Sequence, residues 1–222
     1  MRNFKKTLSF LLSTVIIVSS VVGVGTTVFA ATDEHTYKNF KYRILDDNTA
    51  EICGYTGKNA VVTVPDSIDL KPVTSIGRTA FYSGKIKEVT IPNTVRSIKW
   101  WAFYGCESLE KINLNFGLKT VGYGAFMNCK NLKSVSIPMS VTQICDDSFA
   151  VSCSTKKGVF DTYSKQTIST QQYSTDSSFT LDGYSGTVAE KYCNDNSLNF
   201  VSSGNVIYGD VNNNGTVEAA GV

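Results

Sequence analysis

The sequence predicts an α/β repeat fold: a solenoid of short stacked β-strands, with an N-terminal β-hairpin cap and a short C-terminal helix cap. Two recurrences predict the solenoid, and patterned flanks predict its ends. Phe81, Phe103, Phe126 and Phe149 are separated by 22, 23 and 23 residues, and Ile76, Ile98, Val121 and Ile144 keep the same intervals. Coincidence at several positions at once marks an internal repeat. Downstream of each phenylalanine an apolar trio also recurs: Ile86, Val89 and Ile91, then Leu109, Ile112 and Leu114, then Leu132, Val135 and Ile137.

The last two members of each trio alternate with polar residues, as in a strand with one buried face. One unit of this size cannot cover its own apolar face, so successive units stack, with strands about 4.8 Å apart and one continuous core. At the amino end, Tyr42 and Ile44 alternate toward the turn Asp46-Asp47-Asn48, and Ala50 and Ile52 alternate away from it, which predicts a hairpin. At the carboxyl end the stretch from Gly183 to Phe200 reads as a short helix followed by a final strand.

Two features break the regularity. Lys99 and Cys145 stand where Gly77 and Gly122 occur in sister units, so the turn there either does without positive φ or carries strain. The fourth unit lacks its strand trio, and a Ser-, Thr-, Gln- and Tyr-rich insertion at about 154–180 precedes the cap, as a protruding hairpin or a loop. Val159, Phe160, Ile168 and Phe179 argue against its full disorder.

The pattern V-T-S-I-G, then A-F, a cysteine, and L-x-x-V-x-I-P resembles the BspA-like leucine-rich repeats of bacterial surface and secreted proteins. The resemblance covers about residues 40–200 and implies a leucine-rich-repeat solenoid that recognises ligands rather than transforming them.

Among the 222 residues, 21 Lys+Arg face 19 Asp+Glu. Arg2, Lys5 and Lys6 precede an apolar run from Leu8 to about Val24, and Val28-Phe29-Ala30 offers small residues for cleavage before Ala31, so residues 1–30 read as a signal peptide. Without those three cations the chain is near neutral and lacks the electrostatic footprint of a nucleic-acid binder. The expected mature product is extracellular, with a tail at 31–39 and no membrane span after cleavage.

The single histidine, His35, falls in that tail, where nothing orients it as a catalytic base. Asp46-Asp47 reads as a turn and Asp146-Asp147 as a surface slot, so no carboxylate pair suggests glycoside hydrolysis. The expectation is a protein that is not an enzyme. Of the six cysteines, Cys106, Cys129 and Cys193 read as buried free thiols, although adjacent rungs would also bring Cys106 and Cys129 within the separation of a disulfide, while Cys53, Cys145 and Cys153 stay open. No C-x-x-C pair is present, which disfavours zinc.

Two surfaces are candidate ligand sites. The outward strand positions Glu88 and Thr90, Lys111 and Asn113, and Ser134 and Ser136 form a polar patch. The slot ahead of each A-F pair holds Arg78-Thr79, Trp100-Trp101, Tyr123-Gly124 and Asp146-Asp147. Trp100, Trp101 and Tyr123 there either serve as exposed anchors for protein or sugar, or pack beneath the insertion.

After a linker at 201–207, the segment 208–222 follows the start of D-x-[DN]-x-[DN]-G, a Ca2+-binding loop, and resembles the opening of a dockerin. By that resemblance Asp210, Asn212, Asn214, Thr216 and Glu218 would ligate Ca2+, weakly at most here because position twelve is Gly221, and the partner would be the cohesin of a scaffoldin if the dockerin is complete in the parent protein. The expected function is a secreted, non-catalytic binding or adhesion module for an extracellular protein or polysaccharide ligand, targeted to a cellulosome-type complex. The alternatives are a component of a polysaccharide-degrading enzyme or a cell-surface structural protein.

Overall fold

The computed structural model describes residues 34–205, apart from 157–159, 162–165 and 168–169. Its coils each supply two short strands. One row runs Ala50–Tyr55, Lys71–Ile76, Ser97–Ile98, Thr120–Val121 and Gln143–Ile144, paired in parallel in that order. The other begins with Val61–Thr63, Glu88–Thr90 and Lys111–Asn113 and resumes as a separate parallel sheet of Ser134–Ser136, Thr180–Ser185 and Asn199–Asn205. The apolar trio foretold only this second row. The first row forms where Ile76, Ile98 and Val121 recur, because in-register pairing sets these buried side chains directly above one another.

The recurrent phenylalanines stand in file. Neighbouring rings of Phe81, Phe103, Phe126 and Phe149 lie 4.8, 5.1 and 4.9 Å apart between centroids and within 9° of parallel. Tyr55 extends the column at one end and Phe179 at the other, at 5.5 and 5.9 Å. Each inner ring is almost wholly removed from water, which stabilises the fold by roughly 1.5–3 kcal/mol per side chain. Cys106 and Cys129 pack beside the column as free thiols, each donating to the carbonyl of the phenylalanine one coil earlier, Phe81 at 2.9 Å and Phe103 at 3.2 Å. The neighbouring Cys106 thiol and burial together hold Cys129 well above the ordinary thiol range.

The coil corners explain the departures at Lys99 and Cys145. Positive φ falls two residues beyond them, at Thr79 (56°), Trp101 (56°), Gly124 (58°) and Asp147 (54°). Gly77 and Gly122 answer a different demand, close approach: a Cβ on Gly77 would sit 2.7 Å from the Ile52 carbonyl oxygen, and one on Gly122 2.8 Å from the Trp100 nitrogen. Lys99 turns its side chain outward and pairs with Glu51. Ser148 replaces the recurrent alanine at the fourth corner without cost, because its buried hydroxyl donates to the Gly122 carbonyl at 2.9 Å.

Both caps form as the sequence indicates. Phe40–Ile44 and Ala50–Tyr55 make the amino-terminal hairpin, and an added strand, His35–Tyr37, pairs with its outer edge. His35 is therefore not in a free tail; its ring lies 5.4 Å from Tyr42. At the other end the helix Val188–Asn196 buries Ala189, Tyr192 and Cys193 against the last coil.

The insertion is a β-hairpin, with Val151–Lys156 antiparallel to Thr170–Thr175 and Phe160–Asp161 antiparallel to Gln166–Thr167. Asn128 fixes its root, accepting from the Cys153 amide at 2.7 Å and donating to the Cys153 carbonyl at 3.3 Å. The fourth coil does not lack its strand. The chain returns from the hairpin, adds Phe179 to the ring column and lays Thr180–Ser185 on Ser134–Ser136, so the strand is displaced by the length of the insertion.

Candidate functional site

The corners present their slot side chains in columns, and the left-handed residue of each slot decides where its neighbour points. Trp100 stands exposed at 56% of its surface. Trp101, at φ 56°, turns the other way and lies over Gly124, where an added Cβ would meet the indole at 2.6 Å. Gly124 therefore makes room for Trp101. The indole edge meets the Tyr123 ring at 6.0 Å and 74°, and the Arg78 guanidinium sits 4.6 Å from its centroid.

A second aromatic column follows the phenylalanines by one residue. Tyr82 and Tyr104 stack at 5.3 Å and 5°, with Met127 at the equivalent position of the next coil. Between the two columns lies a cleft of about 250 Å³, lined by Tyr82, Trp101, Tyr104, Tyr123 and Met127. Thr79 also borders it, and the hairpin adds Cys153 and Tyr173. Trp100 is an exposed aromatic, whereas Trp101 shares a concavity with the insertion. Sequence reasoning missed Tyr82, Tyr104 and Tyr173, although the repeated A-F-Y of the first two coils carried the signal for two of them.

The cleft is uncharged at its walls. Tyr123 is held above the ordinary phenol range by its hydrogen bond to Asp147, and Tyr104 and Tyr173 chiefly by burial. These phenols remain protonated donors at neutral pH, next to sulfur and aromatic surface.

The polar strand positions lie elsewhere and none of them lines the cleft. They satisfy one another: Asn113 donates to Glu88 at 2.9 Å and to Thr90 at 3.2 Å, Lys111 pairs with Glu88 at 3.1 Å, and Ser136 donates to Asp182 at 3.0 Å. Ser134 is exposed, in register with Thr180. This patch is a ladder of cross-strand pairs that hold adjacent coils together. Among the described residues no cluster of His, Cys, Asp or Glu is arranged to hold a metal ion, and no helix is long and apolar enough to cross a membrane. Asp210, Asn212, Asn214, Thr216 and Glu218 lie outside the described residues, as does the signal segment.

Stacked coils with two strand rows and a buried column of phenylalanine rings define a leucine-rich-repeat solenoid. The chain belongs to the BspA type leucine rich repeat family, whose model matches residues 63–180 in 6 copies. Repeat proteins of this kind are generally non-catalytic binding modules, typically at the cell surface or secreted.

Among solved structures, a leucine-rich repeat protein from Bacteroides capillosus is 31% identical with a TM-score of 0.49, the match covering 51% of this chain and 88% of that one. The leucine-rich repeat protein of T. pallidum is 34% identical with a TM-score of 0.48, over 50% of this chain and 53% of that one. A leucine rich cell surface protein from Faecalibacterium prausnitzii is 29% identical with a TM-score of 0.46, over 53% of this chain and 40% of that one. No curated protein matches the chain.

Proposed function

We propose that this chain is a secreted binding and adhesion module that engages an extracellular protein or polysaccharide through the aromatic cleft, and that the dockerin-like Ca2+ loop at Asp210–Glu218, as the start of a complete dockerin in the parent protein, would target it to a cellulosome-type complex by way of a cohesin. The observation that carries the binding reading is the cleft itself: a concavity of about 250 Å³ walled by Trp101 and four tyrosines, whereas the polar strand patch is largely paired within itself. Large aromatic side chains held rigid in a depression give contact area at low entropic cost, the usual composition of binding hot spots. The loop reading rests on the alternation of Asp210, Asn212 and Asn214 ahead of Gly215.

The binding reading is tested by retention of the purified chain on bacterial and host cell surfaces. A Trp101→Ala, Tyr104→Ala double variant is expected to lose retention about tenfold or more, since truncating an anchoring residue typically costs about 2 kcal/mol. Trp100→Ala, outside the cleft, is expected to be retained like the parent. Equal retention of the double variant with an unchanged melting temperature would end the cleft reading. The loop reading is tested separately, by calcium-dependent capture on an immobilised cohesin.

A further inference from the structure

We infer that the cleft takes the uronic-acid residues of an acidic polysaccharide, the aromatic walls receiving the sugar ring while its carboxylate reaches Arg78, which does not itself line the cleft but lies on the indole of the wall residue Trp101. This deepens the cleft reading above and rests on it. The argument begins with an uncommitted cation. Of the arginines among the described residues, Arg43 donates to Glu51 and Arg96 to the Asn93 carbonyl, whereas Arg78 is exposed and donates to no protein acceptor. Its guanidinium carbon nonetheless lies 4.6 Å from the Trp101 ring centroid, within cation–π range. An exposed guanidinium beside an indole, with no protein acceptor, is free to make two parallel hydrogen bonds to a carboxylate.

The rest of the cleft supplies what a sugar ring requires. Its volume of about 250 Å³ corresponds to roughly eight waters, the scale of a single pyranose rather than of a folded peptide element. The four tyrosines and Thr79 bring hydroxyls to a wall that also carries aromatic faces and Met127, suited to the mixed faces of a sugar. Charge fixes the orientation. Tyr123 hydrogen-bonds Asp147, whose carboxylate repels an acidic group at that end and directs it to Arg78. A cationic ligand would meet Arg78 itself at the indole face.

The test compares polymers that differ only in charge. In affinity electrophoresis of the full purified chain, polygalacturonate is expected to retard migration, and its fully methyl-esterified form to do so at least about tenfold less, because the charge-assisted pair is lost. Arg78→Gln is expected to lower affinity for polygalacturonate by a similar factor, Arg78→Lys to restore only part of it, and rising salt to weaken what remains. Alginate and hyaluronate serve as further acidic probes. Equal retardation by the esterified polymer, an Arg78→Gln variant that binds like the parent, or no retardation by any acidic probe would each overturn the inference. Surface retention lost on Trp101→Ala, Tyr104→Ala but kept by Arg78→Gln would leave the cleft reading standing and refute the acidic-sugar reading alone.

Discussion

Leu70 is fully exposed and sits at φ +63°, following Asp69 at φ +50°. The two form the loop of a tight hairpin, with Ile68 opposite Lys71, a geometry that ordinarily calls for Asn-Gly. Asp69 is secured, since the Tyr42 hydroxyl donates to it at 2.5 Å, but Leu70 has no packing to justify its strain. Leu70→Gly is therefore expected to stabilise the protein by about 0.5–1 kcal/mol, the relief of left-handed strain less the added freedom of the unfolded chain, seen as a small rise in melting temperature. A fall would show that Leu70 is held by something beyond its loop. The same residue-scale logic limited what sequence could reveal at the corners. Thr79, Trp101 and Asp147 adopt left-handed backbone without being glycine, so no residue type flagged the turn, and the opposite directions of Trp100 and Trp101 follow from that turn alone.

The capping helix works as a substitute coil. In the inner coils the phenylalanine amide donates to the coil above: Phe81 to Ala102 at 2.7 Å, Phe103 to Ala125 at 2.8 Å, Phe126 to Ser148 at 2.9 Å. At Phe149 this coil-to-coil role passes to the Tyr192 hydroxyl, which accepts from the Phe149 amide at 3.1 Å while its ring meets Phe149 edge-on at 82°. Burial pushes this phenol up to about 12, so it stays protonated. Tyr192→Phe keeps the ring and strands a buried amide; the expected loss is about 1–3 kcal/mol in denaturant unfolding, with the Phe149 amide exchanging faster. Unaltered stability and exchange would mean that another acceptor takes over. The cap was legible as a helix in the stretch from Gly183 to Phe200, but its hydrogen bond was not, because it joins residues that are far apart in sequence. The fourth strand was hidden for a related reason: the insertion breaks the interval on which the repeat was recognised, although Phe179 and Leu181 keep the residue types.

Across the whole molecule the ring column and paired registers were readable from spacing, since equal intervals along the chain become equal heights in a stack. The polar joints between layers were not. Glu51, buried in the amino-terminal hairpin, accepts from Arg43 at 2.5 Å, from Ser75 of the next layer at 2.7 Å, and from Lys99 of the layer beyond. Burial raises its carboxyl, but the Lys99 and Ser75 hydrogen bonds and the Lys99 and Arg43 charges outweigh that, leaving it below its ordinary 4.5. A carboxyl lowered on folding stabilises the native state above the unfolded value, and that contribution drains away as pH falls through the folded one. Stability is accordingly expected to decline as pH drops below 4.5, with Asp176, held to about 2 by Ser178 and Lys133, extending the loss toward pH 2. Glu51→Gln should cost about 2 kcal/mol at pH 7, discounted because Arg43 and Lys99 are partly solvated, and its deficit should shrink in acid as the parent loses the same charge. A deficit that persists undiminished well below the folded value would contradict this account. The corner columns carry one further consequence. Because Arg78, Trp100 and Asp146 project from corners whose coil-to-coil backbone hydrogen bonds do not use these side chains, the positions are free to diversify while the scaffold stays intact, which makes the molecule a natural platform for combinatorial selection of new specificities.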